Sequence, residues 1–190
     1  MATCKVRIYL PLTKTLTPDT KKTGHYEIQI IGPISFRVPT YNNTLVIKTL
    51  SYTNPIISYG SEGISIYDNG GRSCPKNKML CTLSINVSSF KSFKSWIKRY
   101  CEYDGSSSSS TKDILKVTSG DYKKYSTQKR NCFGAVSEWC NCMNYATLKS
   151  IYESSTFPND KYDSSGYKKY IAWPMFKSYY KNWTFADIHT

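Results

Sequence analysis

Residues 1–87 are cut at short intervals by turn-forming pairs, among them Gly32-Pro33, Asn42-Asn43, Asn54-Pro55 and Asp68-Asn69-Gly70-Gly71. Between them lie runs rich in Val, Ile, Thr and Tyr, which predict strands over Lys5–Leu10, His25–Ile31, Ser35–Val38, Leu45–Leu50, Ile56–Tyr59, Gly63–Tyr67 and Leu80–Val87. At Ser88-Ser89 the period changes. Phe90, Phe93, Ile97 and Tyr100 recur at helical spacing behind a serine cap, which predicts an amphipathic helix over Phe90–Cys101. Gly105 and the serine run Ser106–Ser110 read as a surface loop. Cys132, Ala135, Val136, Trp139 and Met143 form a second apolar stripe that Cys132 opens, and Thr147, Leu148 and Ile151 start a further short helix. The aromatic and basic tail from Phe157 onward, interrupted by Pro174, is expected to pack on the domain, with an aromatic substrate-binding flank as the alternative. The pattern is α+β, with a β-rich first half and helices after it.

A chain of 190 residues fits one domain with a full core. We place that core at about residues 24–155, with 156–190 as a C-terminal extension. Lys and Arg number 26 against 13 Asp and Glu, a net charge of +13, so anionic surfaces attract the chain at long range. Nucleic acid, acidic lipid head groups, anionic wall polymers and acidic proteins are the candidate partners. The basic residues are scattered and no zinc-finger, RNA-recognition or basic-zipper signature accompanies them, so nucleic acid is not the expected partner. No apolar run approaches the ~18 residues of a membrane span. The start, Met-Ala-Thr-Cys-Lys-Val-Arg-Ile-Tyr, lacks the features of a secretory signal, which predicts synthesis in the cytoplasm without a signal peptide.

Seven cysteines, Cys4, Cys74, Cys81, Cys101, Cys132, Cys140 and Cys142, leave at least one thiol unpaired within a monomer. Most read as small buried apolar groups, although Cys74 and Cys81 flank a turn and are close enough in sequence to close a loop. Cys140 and Cys142 point to different sides of a helix, and the two histidines are His25 and a near-terminal His189. Neither a metal site nor a cofactor is predicted.

The chemistry is concentrated at Cys132 and His25. A thiol at a helix start meets partial positive charge and free N–H groups that stabilise a thiolate and a developing oxyanion, and Lys129 and Arg130 just before it add to that field. An imidazole next to it removes the thiol proton and later protonates the leaving group. His25 leads a strand on which His25, Glu27 and Gln29 share a face, either buried against the Cys132 helix or solvated on an edge strand.

The order of Gly24-His25 strand, further strands, a strand running into a helix, and Tyr125 ahead of an Asn131-Cys132 helix start resembles the circularly permuted papain-like enzymes. These are the NlpC-type and lecithin:retinol-acyltransferase-like group, and the resemblance covers roughly residues 24–142. It implies an antiparallel sheet or open barrel packed against helices, Cys132 as nucleophile and His25 as base. It also implies Tyr125, with Asn131 and Tyr59, at the substrate or oxyanion. The residue orienting the imidazole is left open among Glu27, Gln29, Ser35 and Ser58. The acyltransferase branch tends to use a second histidine on the following strand; its absence here favours the peptidase and amidase branch.

The expected function is a thiol amidase or peptidase acting through an acyl-cysteine on the peptide part of peptidoglycan. Such an enzyme would serve as an antibacterial effector, carried by a specialised system such as type VI secretion into the target periplasm and matched by an acidic immunity protein. The same dyad serves a deamidase, transglutaminase or isopeptidase acting on a host protein, or a phospholipid acyltransferase. A non-catalytic basic module holding a polyanion or glycan is the alternative from a different class.

Overall fold

The computed structural model of the chain describes residues 4–11, 27–70, 79–106, 112–126, 130, 132, 134–136, 138–140, 142 and 143. In chain order the strands and first helix are β1 (Cys4–Pro11), β2 (Glu27–Ile31), β3 (Pro33–Thr40), β4 (Asn43–Thr53), β5 (Ile56–Gly60), β6 (Gly63–Tyr67), β7 (Met79–Val87), α1 (Lys91–Tyr100), β8 (Cys101–Ser106) and β9 (Lys112–Val117). A second helix, α2, comprises described residues 132, 134–136, 138–140, 142 and 143. His25, Asn131, Cys74, the segment from Thr147 and the tail lie outside the described residues.

All nine strands form one sheet in the order β4-β3-β8-β9-β6-β5-β2-β1-β7. Neighbours are antiparallel except β3 and β8, which meet in parallel at Thr40 and Tyr103. The sheet is therefore mixed, which corrects the purely antiparallel expectation. In the chain β4–β7 and α1 separate β3 from β8, so no hairpin joins the two and their relative direction is not fixed to be antiparallel. The molecule is a mainly-β α+β protein.

Alternation divides each strand between two faces. Val6, Ile28, Ile30, Ile57, Tyr59, Ile64, Ile66 and Leu115 share the core face and are buried. Against this core α1 packs Phe93, Trp96 and Ile97, each contributing about 1.5–3 kcal/mol of burial. A chain of rings ties α1 to the sheet and to α2. Phe36 meets Phe93 at 5.7 Å, Phe93 meets Trp139 at 5.5 Å, and Trp139 meets Trp96 at 5.8 Å. The predicted helix over Phe90–Cys101 is one residue shorter at each end. Phe90 is its cap, and Cys101 turns to extended backbone at φ −121°. Ser89 Oγ accepts the Lys91 N–H at 2.9 Å. Gly105 and Ser106, expected in a loop, instead end β8, and Gly105 takes φ +124° beside a register shift.

Candidate functional site

One end of the sheet gathers Tyr59, Tyr122 and Tyr125. Tyr59, near the end of β5, donates its hydroxyl to the Tyr122 carbonyl at 2.8 Å. Its ring meets Tyr122 edge-on at 5.5 Å and Tyr125 at 5.6 Å. Tyr122 lies in a single 3-10 turn, Asp121–Lys123, and also meets Trp96 at 6.1 Å. The turn starts after Gly120 at φ +78°, where an added Cβ would sit 2.7 Å from the Tyr100 ring. A glycine there admits the chain into the aromatic cluster. Beyond Tyr125, Ser126 and Arg130 exchange backbone hydrogen bonds of 2.9 and 3.0 Å, which close a short loop leading to α2.

Cys132 is the first described residue of α2 and is 4% exposed. Burial raises the Tyr125 hydroxyl above its ordinary range, and the Cys132 sulfur close by adds to that rise. Burial likewise raises Tyr59, with Tyr125 adding to the rise and the Arg130 guanidinium opposing it. The structure thus brings together three of the predicted residues: Cys132, Tyr125 and Tyr59. A cavity of about 510 Å³ opens at Tyr59 and Tyr125, lined also by Tyr41, Tyr122, Glu102 and Lys116 among others. The Lys116 ammonium lies 4.0 Å from the centre of the Tyr41 ring. Hydroxyls, ring faces and charges of both signs suit a substrate of mixed polarity.

Glu27 and Gln29 are placed differently. β2 is an interior strand between β5 and β1, and Glu27 pairs with Ser58, the residue before Tyr59. Glu27 and Gln29 therefore project from the reverse face, opposite to Tyr59. Glu27 is 0% exposed, and with Ser58 and Ser65 it forms a polar row in register across three strands. Gln29 donates to the Asn54 carbonyl at 3.0 Å and accepts from Arg7 at 3.4 Å. Ser35, the other polar candidate, shares a 2.8 Å hydroxyl bond with Ser51 on β4.

The cysteines whose side chains are described, Cys4, Cys101, Cys132, Cys140 and Cys142, are free thiols. Burial pushes the Cys140 thiol up to about 12 and the Cys142 thiol up to about 11, and it raises Cys101 as well. These three are protonated structural thiols at neutral pH. Among the described residues no cluster of His, Cys, Asp and Glu is arranged to hold a metal ion, and no helix is long and apolar enough to cross a membrane. Sequence reasoning missed Tyr122. Arg130 was legible only as charge before the helix; Tyr122 becomes visible only once the Gly120 turn folds it onto Tyr59.

What fold and site define together is a mainly-β α+β protein with a tyrosine-lined cavity and a buried thiol, Cys132, on α2. No family model matches the sequence, and no curated protein or solved structure matches it.

Proposed function

We propose that the chain is a thiol-dependent amidase that uses Cys132 as nucleophile and His25 as base, with the peptide portion of peptidoglycan as substrate. The observation that supports the reading is that the buried Cys132 sulfur acts electrostatically on the Tyr125 hydroxyl, while Tyr125 packs on Tyr59 and lines the tyrosine cavity. In the proposed step the sulfur bonds to the amide carbonyl carbon and the C–N bond breaks. The amine leaves with the proton that His25 took from the thiol. Water then attacks the thioester, releasing the carboxylic acid and restoring the thiol. Cys132 is buried, so a substrate reaching the sulfur requires the packing around it to open. Glu27 and Gln29 project from the face opposite to Tyr59, so the reading requires His25, which lies outside the described residues, to depart from the alternation by which it would share their face. Delivery to a target periplasm and restraint by an acidic immunity protein belong to the same proposal.

Purified protein incubated with peptidoglycan should release new primary amine, and Cys132→Ala and His25→Ala should each reduce the rate at least about a thousandfold. Alkylation of Cys132 followed by mass spectrometry should also become slower in His25→Ala. Full amine release by either variant would overturn the reading. Thiol activation by His25 without amine release would keep the dyad and move the substrate to another amide.

A further inference from the structure

β4 is the edge of the sheet, and its outer part carries three consecutive exposed apolar residues: Leu45 is 94% exposed, Val46 50% and Ile47 43%. The register explains why they stand clear. Pro39 pairs with Ile47 and Thr40 with Asn43, which leaves Thr44, Leu45 and Val46 with no partner on β3. Three consecutive residues of an extended chain cannot all point to one side, so the tip of this hairpin is apolar in more than one direction. A docking face on a protein needs one apolar side. An apolar run that presents side chains to both sides of its strand fits a surrounding apolar medium. The bulge also disrupts the straight ladder that edge-to-edge pairing with a second copy would use.

The base of the same hairpin is cationic. An open cleft of about 600 Å³ between β3 and α1 is lined by Arg37, Lys91, Lys94 and Lys98, with no acidic residue in its wall. Lys91, Lys94 and Lys98 fall on one stripe of α1. None of the four cations forms an ion pair with the described residues. The two features are continuous. Arg37 pairs with Thr49 and Pro39 with Ile47, so Arg37 and Ile47 share a face as diagonal neighbours about 7–8 Å apart. The apolar tip thus grades into the cationic cleft along one side of the hairpin.

We propose that the tip and the cleft form one surface that binds an anionic lipid bilayer. Leu45, Val46 and Ile47 enter the boundary between head groups and acyl chains, while Arg37, Lys91, Lys94 and Lys98 hold lipid phosphates. Nucleic acid fits less well, because the half-buried Phe90 is the one aromatic side chain in the cleft and single strands stack on aromatic platforms. The surface uses no residue of the Cys132 site, so it stands or falls independently of the amidase reading.

The test is co-sedimentation of the full chain with vesicles of phosphatidylcholine alone and of phosphatidylcholine mixed with phosphatidylglycerol. Binding is expected on the mixed vesicles only, weakening as salt rises. Leu45→Asp should reduce it at least about tenfold, the pair Lys94→Glu and Lys98→Glu should do the same, and Leu45→Phe should retain it. Circular dichroism of each variant checks the fold. Binding that survives Leu45→Asp would overturn the proposal as plain adsorption of a basic chain. So would absence of vesicle binding, a dimer split by Leu45→Asp, or tighter binding to oligothymidylate than to vesicles.

Discussion

Trp139 shows how one residue links α2 to the rest of the fold. It is fully buried between Phe93 and Trp96, and its indole N–H has no hydrogen-bond acceptor among the described residues. A buried donor left unmade costs about 1–3 kcal/mol, which offsets much of what the larger ring gains in contact. Trp139→Phe keeps a ring against Phe93 and Trp96 and removes the N–H, so it should cost less than about 1.5 kcal/mol. Trp139→Ala should cost about 3–5 kcal/mol. Urea melts decide, and equal losses in the two variants would mean the N–H is satisfied after all. The stripe Cys132, Ala135, Val136, Trp139 and Met143 was legible because helical spacing identifies a buried face, and all five are buried. The partners of that stripe were not legible. Those of Trp139 come from α1, and spacing along one element carries no information about which element it meets.

The β5–β6 hairpin is the element whose geometry and charge are most closely joined. Gly60 pairs with Gly63 across Ser61-Glu62, and Gly63 holds φ +110° where a Cβ would lie 2.4 Å from the Leu115 carbonyl oxygen. The turn presents Glu62 to the Lys112 ammonium at 2.7 Å and the Ser65 hydroxyl at 3.1 Å. The Lys112 hydrogen bond holds the Glu62 carboxyl below the usual carboxylate range, and the same bond raises Lys112. Glu62 is more than half exposed, so the pair contributes about 0.3–1 kcal/mol. A lowered acid stabilises above its unfolded value of about 4.3 and loses that as pH falls through the folded value, while a raised lysine stabilises below about 10.4 and loses that on further rise. The stability gap between wild type and Glu62→Gln should therefore be level near neutrality and close both in acid and in strong alkali. Thermal melts across pH measure it, and a gap that persists in acid would assign the effect to something other than this charge. The strands β2, β3, β5 and β6 were readable because punctuation and alternation coincide there. β8 and β9 were not, since Cys101–Ser106 follows a helix without a turn signal and Lys112–Val117 buries only Leu115 and Val117. Leu45–Ile47 is the converse case: an apolar run that belongs to a strand but not to the core.

At the scale of the whole molecule, the sheet curls until strands far apart in its order touch. Tyr52 on β4 donates its hydroxyl to Asp113 on β9 at 2.6 Å, although β3 and β8 lie between them in the sheet. In a flat sheet those strands would be about 14 Å apart. The neighbouring Thr53 N–H donates to Asp68 at 2.9 Å, so the base of the β3–β4 hairpin is fastened to the end of β6 as well. Burial first, and then the bond to Asp113, raise the Tyr52 hydroxyl well above its ordinary range. This closure joins residues 61 positions apart and was invisible to local pattern, which records which face a residue takes but not how far a sheet bends. A hydrogen bond to a charged acceptor is worth about 1.5–3 kcal/mol. Asp113 has further interactions, so Tyr52→Phe should cost toward the lower end of that range. The exposed Ser35–Ser51 hydroxyl pair is the control, and Ser35→Ala should cost less than about 0.5 kcal/mol. A double-mutant cycle of Tyr52→Phe with Asp113→Asn isolates the bond, with an expected coupling of about 1–2 kcal/mol. Additive losses would show that the curl is held by core packing around Phe36 and Phe93, with the Tyr52–Asp113 bond following the closure instead of stabilising it.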